Sequence, residues 1–201
     1  MTPLDFPDRD TWASAVVHPD EPGFAAPKFY DYYRLKYEIA REAAPRSICE
    51  IGVRYGYSAW SFLRAAPWAS YLGYDLQRGT HGGVKGADTF PRVAALLARE
   101  FPLAAVTLRR ADTRRLDTLG GPYDFIHVDG DHSEAGCYHD LELAWAACAA
   151  GGTILTDDID YIAGVKRAVE RFCRDHGADP IAVSFVPSLR GECVIVKGGD
   201  A

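Results

Sequence analysis

What this sequence lacks removes several classes of protein at once. Its five cysteines are odd in number and include no C-x-x-C pair, which argues against a disulfide framework and against a thiolate metal site. They read as small buried hydrophobes in a reducing cytoplasm. No apolar run approaches the length of a membrane span, and Met1-Thr2-Pro3-Leu4-Asp5 has neither the charged nor the apolar region of a signal peptide. A basic surface is missing too. The 22 Lys and Arg against 28 Asp and Glu leave a formal charge of −6, so a general nucleic-acid binder is not expected. A dinucleotide fingerprint starting at Gly52 would need glycine at positions 54 and 57, which hold Arg54 and Tyr57. The glycine-rich stretch 79–86 lacks the Gly-Lys-Ser/Thr ending of a phosphate loop. No internal repeat or low-complexity tract is present.

What remains is an ordinary globular balance, 48% apolar and 25% charged over 201 residues, enough for one α/β domain with a self-sufficient core. Strand and helix patterns alternate with short connections. Strands are expected at 47–51, 71–75, 106–110, 125–129, 153–157, 181–186 and 192–197. Helices are expected at 30–43, from about Ser58, and at 87–100, 134–149 and 165–175. In the fourth of these, Tyr138, Leu141, Trp145 and Cys148 recur at helical spacing, a core stripe. The connection 187–191 is long enough for an antiparallel hairpin and too short for a parallel crossover. The expectation is therefore a mostly parallel, seven-stranded Rossmann-like sheet with one reversed strand near the C-terminus and helices on both faces. The chain reads as a single domain over 1–201, with a helical, substrate-side extension at 1–45 ahead of a core at 46–197.

Chemistry-bearing residues gather where strands end. Glu50-Ile51-Gly52-Val53-Arg54-Tyr55-Gly56-Tyr57-Ser58 puts two glycines and an acid at the first strand-to-helix turn, where backbone N–H groups favour anions. Asp75 closes the second strand, at a distance from Gly52 suited to ribose hydroxyls. Asp112 follows the third, where its carboxylate could accept from an adenine amino group. Asp129, then Asp157 and Asp158, follow the fourth and fifth. Neighbouring strands of an open sheet deliver such residues to one crevice, where unpaired carboxylates repel and their pKa values rise. A hard divalent cation relieves that conflict, Mg²⁺ or Mn²⁺ in preference to zinc. The ordinary alternative is that Asp157 and Asp158 cap a helix or end a strand. His132, three residues after Asp129, is a candidate general base. His127, inside the strand, reads as core, and His139 is a weaker base candidate.

The stretch Glu50–Ser58 with Asp75 and Asp112 resembles the S-adenosylmethionine site of class I methyltransferases over roughly residues 30–197. Asp129-Gly130-Asp131-His132-Ser133, followed by Gly151-Gly152-Thr153-Ile154-Leu155-Thr156-Asp157-Asp158, is similar to the metal-dependent O-methyltransferases. That branch includes macrolide-sugar and mycobacterial mannoside methyltransferases and cephalosporin hydroxylase-like proteins; catechol O-methyltransferases are more distant. The resemblance implies that Glu50, Gly52, Arg54, Gly56 and Ser58 hold the amino-acid end of the cofactor. It further implies Asp75 on the ribose, Asp112 near the adenine, and Asp129, Asp157 and Asp158 as metal ligands. His132, in place of a lysine base, points to a sugar or oligosaccharide acceptor. A catechol-type or natural-product O-methyltransferase is the alternative; an NAD-dependent oxidoreductase and a non-catalytic binding protein are more distant ones. His81, Lys85, Asp160, Tyr161, Phe29 and Tyr30 are candidate substrate or cofactor contacts, with 79–86 as a candidate lid. A homodimer is expected.

Overall fold

The computed structural model describes residues 2–77, 88–177 and 181–198. Seven strands, β1 Ser47–Ile51, β2 Ser70–Asp75, β3 Ala105–Arg110, β4 Tyr123–Val128, β5 Cys148–Thr156, β6 Ile181–Val186 and β7 Glu192–Lys197, form one sheet in the order β3-β2-β1-β4-β5-β7-β6. Strands β1 to β5 pair in parallel. β7 runs antiparallel to both β5 and β6, the single reversed strand that the short 187–191 connection demands.

Among the described residues six α-helices cover the sheet: α1 Arg9–Val16, α2 Pro27–Ala43, α3 Tyr57–Ala65, α4 Phe90–Glu100, α5 Glu134–Ala147 and α6 Ala163–Asp175. Each buries apolar residues against its neighbours, and α3 is buried on nearly every side. Trp12, Tyr37, Trp60, Phe62 and Leu97 from α1 to α4 join one core layer, while Leu141 and Phe172 from α5 and α6 join Ile126 and Ile154 in the other. The helix boundaries follow from local chemistry. Asp8 caps α1 by accepting from the Thr11 N–H at 3.0 Å, and Ser133 caps α5 by accepting from the Gly136 N–H at 3.1 Å. Pro27 opens α2, and Ala44 in a left-handed conformation closes it.

The differences from the sequence reading are local. α1 and the 3-10 turn Pro22–Ala25 are too short for periodicity to announce. β5 starts at Cys148, earlier than expected, because a register shift between Tyr123 and Phe125 lets its first residue pair with Tyr123. β4 and β5 stop one residue short of Asp129 and Asp157. Their backbones nevertheless continue the ladder: Asp129 N–H reaches the Ile51 carbonyl at 2.9 Å, and Asp157 N–H reaches that of Val128 at 3.2 Å. Both side chains are thereby delivered to the carboxyl edge. The N-terminal helices belong to the core layer itself, with Trp12, Tyr37 and Ala40 fully buried there.

Candidate active site

A cavity of about 710 Å³ opens along that carboxyl edge, bounded by the β1–α3 turn, the ends of β2, β4 and β5, and the β6–β7 connection. On the β1–β2 side its wall is built around a glycine turn. Gly52 has φ +93°, and a Cβ there would lie 1.9 Å from the Asp129 carbonyl oxygen, so no side chain fits. Gly56, at φ +78°, lets α3 begin against Val93. Arg54 adopts φ 51° and donates its N–H to Asp75 Oδ2 at 2.8 Å. Its guanidinium pairs with Glu21 and lies 4.9 Å from the Phe24 ring, leaving Nε buried without a partner. Asp75 also accepts from the Gln77 N–H at 2.5 Å. Asp112 caps the turn Thr113–Arg115 and bonds Arg114 Nε at 2.9 Å; this hydrogen bond holds its carboxyl below the usual range. Arg54, Ser58, Asp75, Asp112 and Gly52 all line the cavity.

Glu50 does not. Its side chain is fully buried, and both oxygens are engaged by Ser58 Oγ, the Tyr71 hydroxyl and His127 Nδ1, the last at 2.8 Å. Strand alternation turns it onto the α2–α3 face, in register with His127. The acid of the first strand is thus an internal acceptor, with its reach toward the cavity limited to Ser58.

The β4–β5 side is made of side chains. His132 Nε2 lies 3.1 Å from Asp129 Oδ1 and 3.6 Å from Asp158 Oδ2. Burial works to lower the His132 pKa, but the hydrogen bond to Asp129 and the charges of Asp129, Asp158 and Asp157 raise it. Asp158 is pushed up to about 6, first by burial and then by Asp129 and Asp157, against Arg190 and His132. Arg190, in the β6–β7 connection, donates Nη1 to Asp158 Oδ1 at 3.2 Å, and its guanidinium lies 5.0 Å from the exposed Tyr161 ring. Asp129, His132 and Asp158 each present a ligand atom within 4.8 Å of the others, and His127, Asp129 and Asp157 form a second such group.

Asp157 departs from the expected open triad. It is 3% exposed, with Lys36 Nζ 3.1 Å from Oδ2 and the Tyr32 hydroxyl donating to the same oxygen. Lys36, itself 1% exposed, also donates to Glu192 Oε1 at 2.9 Å and lies 3.3 Å from His127 Nε2. Burial opposes ionisation of Asp157, but Lys36, His127 and the Tyr32 hydroxyl together outweigh it and hold this carboxyl below its ordinary value. Burial and the Asp157 charge push Glu192 well above its own.

Other candidates separate cleanly. Tyr161 lines the cavity, whereas Tyr30 donates its hydroxyl to the Pro7 carbonyl at 2.7 Å and packs on Phe6 and Trp12. Tyr30 is a structural anchor of the N-terminal segment, and Phe29 stacks on Phe24 beside it. His139 faces the Thr113 carbonyl at 3.0 Å, outside the cavity. Asp160 packs against Gly191. His81 and Lys85 lie outside the described residues. Lys36, Tyr32 and Arg190 were not expected. One signal for Lys36 was available: it sits three residues from Tyr33 on the aromatic stripe of α2, a charge in the phase of a buried face.

The family model for a methyltransferase domain matches residues 49–159, more than half of the chain. The chain belongs to this methyltransferase family. The match runs from the glycine turn through Asp129 and His132 to the Asp157-Asp158 pair. An uncharacterized protein of Sinorhizobium fredii, y4gI, is 31% identical over 104 residues, 49% of this chain. The chain spans only 11% of the length of that protein. Among solved structures, the O-methyltransferase TomG from Streptomyces achromogenes, involved in tomaymycin synthesis and in complex with SAM, superposes with a TM-score of 0.66 at 19% identity, over 98% of this chain and 92% of that one. An O-methyltransferase from Bacillus cereus in complex with SAH gives 0.67 at 15% identity, over 96% and 92%. These likenesses establish the fold of this methyltransferase. No helix among the described residues is long and apolar enough to cross a membrane.

Proposed function

We propose that this methyltransferase transfers the methyl group of S-adenosylmethionine to a hydroxyl of a sugar or glycoside, with Mg²⁺ or Mn²⁺ bound beside the acceptor. The observation that carries the reading is that one cavity is lined both by the Gly52–Asp75–Asp112 edge and by Asp129, His132 and Asp158. A nucleoside cofactor suits the first wall: it offers a carboxylate at the end of β2, a glycine turn, and a buried, unpartnered Arg54 Nε for an anionic group. A hard cation suits the second, where Asp158 is held near 6 by burial and two neighbouring carboxylates that Arg190 and His132 only partly offset. Asp129 and Asp158 would hold it, and when bound it lowers the pKa of a hydroxyl beside it.

The chain's own groups supply the rest. The shared cavity orients acceptor oxygen and sulfonium methyl in line. As oxygen attacks and the carbon–sulfur bond breaks, releasing the thioether, His132 takes the hydroxyl proton on the ring nitrogen that is not bonded to Asp129, and the Asp129 carboxylate at Nε2 favours the protonated ring that results. Tyr161 with Arg190 offers a flat face for the acceptor. The sugar preference rests on histidine at the base position; a catechol-type or natural-product acceptor is the competing class. A small-molecule or oligosaccharide acceptor, a cytoplasmic setting and a homodimer complete the proposal.

Methyl transfer from labelled S-adenosylmethionine to a panel of glycosides and catechols, with Mg²⁺ and with EDTA, tests it. Glycosides should be labelled, EDTA should abolish the signal and added Mg²⁺ should restore it. Full turnover in EDTA would remove the metal, and label on catechols alone would reassign the acceptor. Calorimetry should register S-adenosylhomocysteine and not NAD.

A further inference from the structure

The three consecutive-edge carboxylates are not equivalent in this chain. Asp157 Oδ2 is taken by the Lys36 ammonium at 3.1 Å and by the Tyr32 hydroxyl, and its Oδ1 accepts the Asp158 N–H at 2.7 Å. Lys36 Nζ also lies 3.3 Å from His127 Nε2. The ammonium therefore occupies the ground between His127 and Asp157, two members of one of the two candidate metal groups. That group already contains its cation. The other group, Asp129, His132 and Asp158, faces the cavity.

The bond from Asp158 N–H to Asp157 Oδ1 has a conformational counterpart. Asp158 sits at φ +64°, a left-handed conformation that non-glycine residues adopt only when their surroundings impose it. This turn sends its carboxylate back toward His132, at 3.6 Å, and Arg190, at 3.2 Å. Asp157 can hold the turn only while its own carboxylate is fixed, and what fixes it is a lysine from α2 with its exposure reduced to 1%. Buried ion pairs contribute little net stability, so one retained at this place fits a geometric role.

We propose that Asp157 is a positioning residue and not a metal ligand: Lys36 and Tyr32 clamp it so that it holds Asp158 in the conformation that, with Asp129, forms a two-carboxylate cation site. This rests on the metal-dependent reading above and departs from the three-ligand expectation.

Free Mn²⁺ titrated against the full-length protein and followed by electron paramagnetic resonance provides a readout independent of turnover. Asp158→Asn and Asp129→Asn should each lose Mn²⁺ affinity. Asp157→Asn alone should lose roughly 10–100-fold, the usual effect of disturbing a group that orients a ligand, because its amide then faces an ammonium. The paired variant Lys36→Met/Asp157→Asn removes that conflict while keeping an acceptor for the Asp158 N–H. It should bind Mn²⁺ within about threefold of wild type, a partial relaxation of the same positioning effect. If the pair stays as weak as Asp157→Asn, Asp157 is a ligand and the proposal is wrong. Should wild type bind no Mn²⁺, the metal reading fails, and the clamp is then read from melting temperatures. Lys36→Met should lower the melting temperature sharply, and adding Asp157→Asn should recover at least half of the loss. Additive losses would overturn the clamp.

Discussion

Beside β1 and β2 the cavity is built around a glycine turn by residues close in sequence, whereas beside β4, β5 and β7 it is shaped by side chains drawn from separate parts of the chain. Gly52, Arg54 and Asp75 lie within one β-α-β unit, where Gly52 N–H donates to the Tyr74 carbonyl and Arg54 N–H to Asp75. On the other side, Asp157 meets Tyr32 across 125 positions and Lys36 meets Glu192 across 156. A wall built around a glycine turn binds by shape and tolerates loss of one contact. A wall built from charges in a dry interior fails when one member is removed, because the partners left behind are uncompensated.

The sharpest way to break this comparison is His132→Ala. It should lower kcat by about 10²–10⁴-fold, the worth of a positioned general base, with S-adenosylhomocysteine affinity nearly unchanged. The rising limb of the pH–rate profile should vanish with it. Near-wild-type turnover would leave His132 a structural partner of Asp129. On the glycine-turn side the effect should be smaller: Asp75→Ala should weaken S-adenosylhomocysteine by roughly 1.5–3 kcal/mol, the value of hydrogen bonds to a charged acceptor. Calorimetry measures it, and unchanged affinity would take Asp75 out of the cofactor wall.

Asp140 extends the comparison to pH. It lies in α5, fully buried behind the cavity, and burial pushes its carboxyl up from 3.8 to about 6. The folded protein then holds a proton that the unfolded chain has released, so stability from this group falls as pH rises through that window and stays lower above it. Asp140→Asn should remove the fall and gain about 2 kcal/mol above pH 6, less than the full shift implies because Asp131 N–H hydrogen-bonds the carboxylate. Urea melts at several pH values decide this, and an unchanged slope would mean that Asp140 stays ionised throughout. Smallest of all, Tyr30→Phe should cost about 1 kcal/mol in stability, one hydrogen bond to Pro7, and leave kcat untouched. A fall in kcat would return Tyr30 to the acceptor site.

What could be read in advance follows the same division. The reversed β7, the glycine turn and the placement of Asp75, Asp112, Asp129 and His132 at one crevice all follow from local pattern and from the geometry of open sheets. Glu50 was legible as an acid in a strand, yet which face it takes depends on its pairing with His127 across β4. The partners of Lys36 and Arg190 were beyond reach for a plainer reason. Nothing local to α2 or to the β6–β7 connection refers to Asp157 or Asp158, so only the completed packing brings them together. Mutual repulsion of three acids presumes that they are unpaired, and two of them carry their own cations.

One helix thus ties the beginning of the chain to its end. Because α2 supplies Tyr32 and Lys36 to a cluster otherwise drawn from β4, the end of β5 and β7, hydrogen bonds that span 125 and 156 positions finish the site. In the proposed reading, both ends of the chain meet on the acceptor side of the cavity, and methyl transfer would require each of them to be in place.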